Sequence, residues 1–213
     1  KAQENRFSVM EEVWASDTER IDLVIFLNGL AIISFELKCN QAGQNYTHAI
    51  HQYREDRNPK TRLFLKKAGC LVNFAMDLKE CYMTSELRGR ETYFLPFNIG
   101  RGEGINTGAG NPDFNGKYPV SYMWEDILTK ETLYDLIGKF VFVEKKEEKD
   151  KLTGKKSIKE RPIFPRYHQL RTIRNLVQDL RENHTSFNYL IQHSTGSGKT
   201  KTIAWLAHRL ASL

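Results

Sequence analysis

Glu36 and Lys38 stand two residues apart at the end of the apolar run LAIISFEL, and Asp22 lies near the start of the preceding run, IDLVIFL. In a strand, residues i and i+2 share a face, so Glu36 and Lys38 project together. Two carboxylates such as Asp22 and Glu36 can hold a divalent metal ion, which polarises a phosphodiester and turns bound water into hydroxide. A lysine beside them stabilises the charge that develops. The plainer alternative is a salt-bridged or polar strand end, because E-x-K triplets arise freely by chance.

A second chemical signature lies near the other end of the chain. HSTGSGKT, residues 193–200, fits G-x-x-x-x-G-K-[ST] except at its first position, where His193 replaces glycine. Small residues allow the backbone N–H groups of Thr195, Gly196, Ser197 and Gly198 to wrap a polyphosphate at a helix N-terminus. Lys199 would then reach the β- and γ-phosphates of ATP, and Thr200 would hold Mg2+. An ordinary Gly-Ser-Gly loop is the alternative. FNYLIQ (187–192) before it reads as a short buried strand and KTIAWLAHRLASL after it as an amphipathic helix, the setting a phosphate loop requires.

These residues need elements to carry them. Runs 21–27 and 30–37 flank Asn28-Gly29, a pair that tolerates positive φ and predicts a β-hairpin. If that pair made a strict two-residue turn with unbroken pairing, Leu27 would oppose Leu30 and Asp22 would oppose Phe35. Asp22 and Glu36 would then lie on opposite faces of the sheet. A metal shared by both requires a one-residue slip, from a three-residue loop with Gly29 in the left-handed region or an equivalent irregularity. From Gln44 to Arg57 the apolar positions Tyr46, Ala49, Ile50 and Tyr53 keep helical spacing, and Asn58-Pro59 ends the helix. CLVNFAM (70–76) and CYMTSEL (81–87) predict a strand pair, and 98–119 a loop rich in Gly, Asn and Pro. Helical patterns follow over 121–128 and from a Thr129 cap to about Lys139. Residues 144–161 are nearly all charged, the pattern of a solvated hairpin or connector, and RYHQLRTIRNLVQDLREN is amphipathic.

The 213 residues, 40% hydrophobic and 27% charged, suffice for one large or two small domains. The net charge of +6 is compatible with a polyanionic partner without requiring one. No apolar stretch is long enough to span a bilayer. Cys39, Cys70 and Cys81 lack metal spacing and cannot all pair, which favours a reducing, cytoplasmic setting. His48 and His51 lie one helical turn apart with no further ligand evident, as solvated helix histidines do. The chain opens at Lys1 within continuing pattern, as a piece of a longer polypeptide would.

The D…E-x-K set resembles the PD-(D/E)xK nucleases, with Ile21 where that signature often has proline. FPRYHQ (164–169) is similar to the adenine-reading R-x-x-Q element of superfamily 2 helicases, and Gln169 occupies the glutamine position. In their order along the chain, the DLVIFLNGL hairpin, FELK, HAIHQYREDR, FPRYHQ and HSTGSGKT resemble the R subunit of type I restriction–modification enzymes, from about Asn5 to the last residue. The resemblance implies an α/β chain: a restriction-endonuclease-like domain (1–143), a charged linker (144–161) and an incomplete RecA-like ATPase lobe (162–213). It implies a Mg2+-dependent DNA endonuclease coupled to ATP-driven translocation of double-stranded DNA, acting with methyltransferase and specificity subunits. Asp22 and Glu36 would bind the metal, Lys38 would stabilise the attacking group or the transition state, and Tyr53 would position the lysine or the DNA. The family also carries Q-x-x-x-Y on the following helix. Here Tyr53 matches the tyrosine, Ala49 stands at the glutamine position, and Gln52 is the available glutamine. Two alternatives keep other roles for the chain: an ATPase whose first domain is a non-catalytic DNA-binding or docking module, or an adaptor with a degenerate phosphate loop.

A lone predicted strand, FNYLIQ, has no parallel neighbour to pair with, so residues 161–213 are expected either to dock on the first domain or to be poorly ordered. Hydrolysis of ATP also needs an acidic strand-end residue and a charge-neutralising arginine. Neither is recognisable beside the loop, so the 213-residue chain is expected to show no ATP turnover in a phosphate-release assay. Turnover abolished by Lys199→Ala would contradict this expectation.

Overall fold

The computed structural model describes residues 4–66, 68–102, 108–113, 116–149, 156–183 and 188–211. Six strands form one sheet in the order β1 (Phe7–Trp14), β2 (Arg20–Leu27), β3 (Leu30–Leu37), β4 (Val72–Met76), β5 (Cys81–Thr84) and β6 (Leu95–Pro96). Neighbours are antiparallel except β3 and β4, which run parallel. A parallel pair needs a crossover, and helix α1 (Tyr46–Glu55) supplies it. The predicted hairpin, the helix after it and the strand pair around residues 72–84 are therefore all present. The edge strand β1, largely exposed and without hydrophobic alternation, is an addition.

Asn28 (φ 51°) and Gly29 (φ 81°) both lie in the left-handed region, so the hairpin keeps the two-residue turn. Leu27 pairs with Leu30 and Phe26 with Ala31, after which Ile25 pairs with Ile33. Ile32 is thus an extra residue on β3, a β-bulge. Below it Val24 opposes Ser34 and Leu23 opposes Phe35. The same register one step on sets Asp22 opposite Glu36. The slip that a shared metal demands comes from this bulge and not from a longer loop.

The period of two then sorts side chains onto two faces. Val24 and Ala75 join Ala49 and Tyr53 of α1 and Phe94 in one cluster. Ile25, Ile33, Phe35, Val72 and Phe74 build the larger cluster on the other face. Against it lie α2 (Lys130–Asp135), two π-helical turns (Met123–Ile127 and Leu136–Phe140), α3 (Tyr167–Asn183) and α4 (Lys199–Leu210). Thr129 caps α2 as expected, accepting a hydrogen bond from the Thr132 N–H. The described residues of the charged segment pair as antiparallel strands, β7 (Phe142–Lys149) with β8 (Lys156–Ile163).

Helices α3 and α4 dock on this second face. Helix α3 buries Gln169, Leu170, Ile173, Leu176 and Val177, spaced as one helical stripe. Helix α4 buries Thr202 and Trp205. The apolar positions Ile203, Leu206, Ala207 and Leu210 are not the buried ones: Ile203 is 67% and Leu210 40% exposed, and Leu206 alone of the four packs against the core. Trp205 is the anchor. Its indole N–H donates to the Phe140 carbonyl at 2.9 Å, and its ring meets Phe140 and Phe142. The strand predicted over 187–192 does not form among its described residues, 188–192, where Leu190 is 94% exposed. Residue 187 lies outside the described residues.

Trp205→Ala should lower the unfolding free energy by about 3–5 kcal/mol, as for other buried aromatics. Urea denaturation followed by circular dichroism measures it. A loss below about 1 kcal/mol would show that α4 rests on the core without contributing to its stability.

Candidate active site

Glu36 is fully buried at the end of β3. Its Oε1 accepts a hydrogen bond from Arg57 Nε at 2.7 Å, and its Oε2 is buried with no hydrogen-bond partner among the described residues. Burial pushes the Glu36 carboxyl up to about 7; the Asp22 charge adds to the rise, and Arg57 and Lys38 oppose it. Asp22 Oδ2 accepts the Leu37 N–H at 2.7 Å and lies 3.7 Å from Lys38 Nζ. The Lys38 backbone N–H donates to the Met76 carbonyl of β4, which holds the E-x-K strand end in the sheet. Asp22, Glu36 and Lys38 are therefore brought together.

This donor set fits a hard divalent cation. A buried, unpartnered carboxylate oxygen is costly unless something binds it, and Glu36 Oε2 is such an atom beside a second carboxylate. No group of three or more His, Cys, Asp or Glu suited to a metal occurs among the described residues. Mg2+ commonly uses one or two carboxylates and takes its remaining ligands from water and substrate phosphate, so two acidic residues are enough. His48 is occupied elsewhere: with Asn45 it forms the capping box of α1, and His51 is exposed.

Helix α1 braces the strand from behind. The Tyr53 hydroxyl lies 2.8 Å from Ser34 Oγ, which donates to Asn73 Oδ1 at 2.7 Å, so one buried network joins α1, β3 and β4. Tyr53 is fully buried, and a direct contact with DNA is closed to it; it supports the strand two residues before Glu36. Burial, with the Glu36 charge next in weight, holds the phenol well above its usual range. Ala49 is fully buried in the same cluster, which explains a small residue where the resembled pattern has glutamine. Gln52 is half-buried and, at about 100° per residue, lies well round the helix from Tyr53. The sequence reading missed Arg57. Its signal was available, a cation one turn beyond Tyr53 on the sheet-facing side, but it read as part of the polar end of the helix.

The phosphate loop sits at the start of α4. Gly196 (φ 76°) and Gly198 (φ 87°) adopt left-handed backbone, and Gly198 caps the helix. The left-handed backbone disfavours a side chain at Gly198, and a Cβ there would lie 2.6 Å from Gln169 Nε2, which would have to move aside. Gln169 accepts the Arg166 N–H through Oε1 and donates to the Gly198 carbonyl through Nε2, tying α3 to the loop. Lys199 Nζ donates to the carbonyls of His193 and Ser194. Thr195 and Thr200 are exposed, while Ser197 is buried with its hydroxyl unpartnered among the described residues. His193 packs edge-on against His168 and lies 3.3 Å from Thr172 Oγ1. Burial lowers the His168 pKa to about 4, and burial together with the Lys199 charge lowers that of His193 as well. A cavity lined by Ser85, Tyr93, Arg166, Ser197, Lys201 and Trp205 separates the loop from the edge of the sheet.

Residues 1–92 match the family described as the type I restriction enzyme R protein N terminus, and residues 162–213 match the type III restriction enzyme res subunit family. No curated protein and no solved structure matches the chain. The first match contains Asp22, Glu36, Lys38 and Tyr53, and the second contains Gln169 and the whole phosphate loop. Together the two matches support an N-terminal fragment of a restriction-enzyme R subunit, with residues 1–92 similar to the N terminus of the type I R protein.

Proposed function

We propose that the first sheet and α1 form a Mg2+-dependent DNA endonuclease of the PD-(D/E)xK type, and that residues 162–213 begin a RecA-like lobe that uses ATP to translocate double-stranded DNA. The observation that carries this reading is the bulge at Ile32, which sets Asp22 opposite Glu36 with Lys38 3.7 Å from Asp22. Asp22 and Glu36 would hold the cation, which when bound polarises the scissile phosphate and acidifies a water. Lys38 offers a positive charge at the same point. Asp22 holds that ammonium now, and a phosphate oxygen carrying new negative charge would compete for it. Tyr53 and Ser34 keep β3 from shifting, and the buried face around Glu36 keeps bulk water from one side of the carboxylate.

At the other site Lys199 would leave the His193 and Ser194 carbonyls for the β- and γ-phosphates, Thr200 would bind the Mg2+ of the nucleotide, and Gln169 would read adenine. The N–H groups of Thr195, Gly196, Ser197 and Gly198 would line the phosphates. The site on DNA would be chosen by a specificity subunit acting together with a methyltransferase subunit, in the cytoplasm. The described residues contain no helix long and apolar enough to cross a membrane.

In the complete restriction complex, Asp22→Ala, Glu36→Ala and Lys38→Ala should each abolish DNA cleavage and leave ATP hydrolysis intact. Plasmid linearisation and phosphate release measure the two activities. Wild-type cleavage by any of the three variants would sink the assignment.

The raised Glu36 pKa adds a signed expectation. Folding favours the protonated carboxyl, so this group's contribution to stability is full below its ordinary 4.5 and is lost as pH rises through about 7. Wild type should therefore lose melting temperature relative to Glu36→Gln between about pH 5 and pH 8. Mg2+ should raise the wild-type melting temperature more at the upper end, where no proton has to leave. A flat difference across the range would mean that Glu36 is not desolvated as described.

A further inference from the structure

Arg57 makes two hydrogen bonds to two different strands. Its Nε donates to Glu36 Oε1 on β3 at 2.7 Å, and its Nη2 donates to the Arg20 carbonyl on β2 at 2.9 Å. Arg57 is 8% exposed and lies just past the end of α1, one turn beyond Tyr53, which is itself bonded to Ser34 of β3. Helix α1 thus meets β2 and β3 at one point. That point is two residues from Asp22 on β2 and at Glu36 itself on β3.

A cation that served solely to neutralise Glu36 would need one contact and could sit in many orientations. The guanidinium is a rigid planar fork, so bonds to a carboxylate and a main-chain carbonyl fix both partners relative to each other. With Oε1 pinned, the Glu36 carboxylate cannot turn freely, and Oε2 is the oxygen left without a partner. We propose that Arg57 is a positioning residue for the metal-binding carboxylates: it clamps β2 to β3, sets the spacing of Asp22 and Glu36, and leaves Glu36 Oε2 facing the cation. The proposal rests on the metal-binding reading above.

The two roles for Arg57 differ in sign. A neutralising charge competes with the incoming cation, so its removal tightens binding, whereas loss of a clamp weakens it. Mn2+ binding to the 213-residue chain, followed by electron paramagnetic resonance, distinguishes them, with melting curves as the check on fold. Arg57→Lys keeps the charge but cannot reproduce the fork, and it should weaken Mn2+ binding about 10- to 100-fold, the range found for residues that orient metal ligands. Arg57→Ala should bind at least as weakly, and ethylguanidinium should restore part of that binding where ethylammonium does not. Wild-type affinity in Arg57→Lys, tighter binding in Arg57→Ala, or equal rescue by the two ions would each overturn the clamp. Glu36→Gln separates this failure from that of the parent reading. If it binds Mn2+ as wild type does, the metal site is not at these carboxylates and the clamp falls with it; if it loses Mn2+ while Arg57→Lys does not, the clamp alone is wrong.

Discussion

The extra residue at Ile32 decides what the first half of this chain can do. Side chains alternate along a strand with a period of two, so a single-residue slip exchanges the faces of everything beyond it. With the hairpin closed by the two-residue turn at Asn28-Gly29, unbroken pairing would send Asp22 and Glu36 to opposite sides of the sheet. The bulge between Phe26 and Ile25 reverses that for the lower half of the hairpin. The upper half stays in the register of its turn. The bulge also re-aims the C-terminal end of β3, where Leu37 N–H closes on the Asp22 carboxylate.

Once Glu36 is turned toward α1, its surroundings follow from the cost of burying a charge. An isolated carboxylate with no exposed surface would sit neutral or carry a large penalty. The fold reduces the penalty with one arginine bond and still leaves the pKa near 7 and one oxygen unsatisfied. A site built for stability alone would have satisfied both oxygens. The remaining polar groups on this face, Ser34, Tyr53 and Asn73, satisfy one another completely enough to lock the strand. The strain is concentrated in one atom while its neighbours are rigid, as expected where preorganisation matters more than stability.

The E-x-K spacing, the Asn-Gly turn, the helix from Tyr46 and the glycine-rich loop could be read from the chain because each is a local pattern with a local cause. The bulge could not, since β-branched residues at 32 and 33 carry no mark of which one is skipped. The requirement for some slip was nevertheless derivable from the alternation and the turn. Arg57 escaped because its value depends on a carboxylate 21 residues away, a relation that helical spacing alone does not contain. The π-helical turns around α2 replaced the regular helices expected there, and the packing of Met123, Ile127, Leu136 and Phe140 into the common core accompanies them.

The missing strand over 188–192 shows where local pattern gives way to topology. NYLIQ has the composition of a buried strand, but a strand is stable only with a neighbour to complete its hydrogen bonds. The edge of the first sheet nearest the loop is the two-residue strand β6, too short to pair a five-residue partner. Leu190 is therefore left almost fully exposed, and α4 turns Trp205 toward the core by making its own contacts with Phe140 and Phe142. The loop between them holds its shape without the strand, because Gln169 bonds the Gly198 carbonyl and Lys199 bonds two carbonyls upstream. Hydrogen bonds within the loop and to α3 thus perform the task that a central strand performs in a complete parallel sheet. Leu190, Ile203 and Leu210 stay exposed, so the shape of the loop does not rest on burying them.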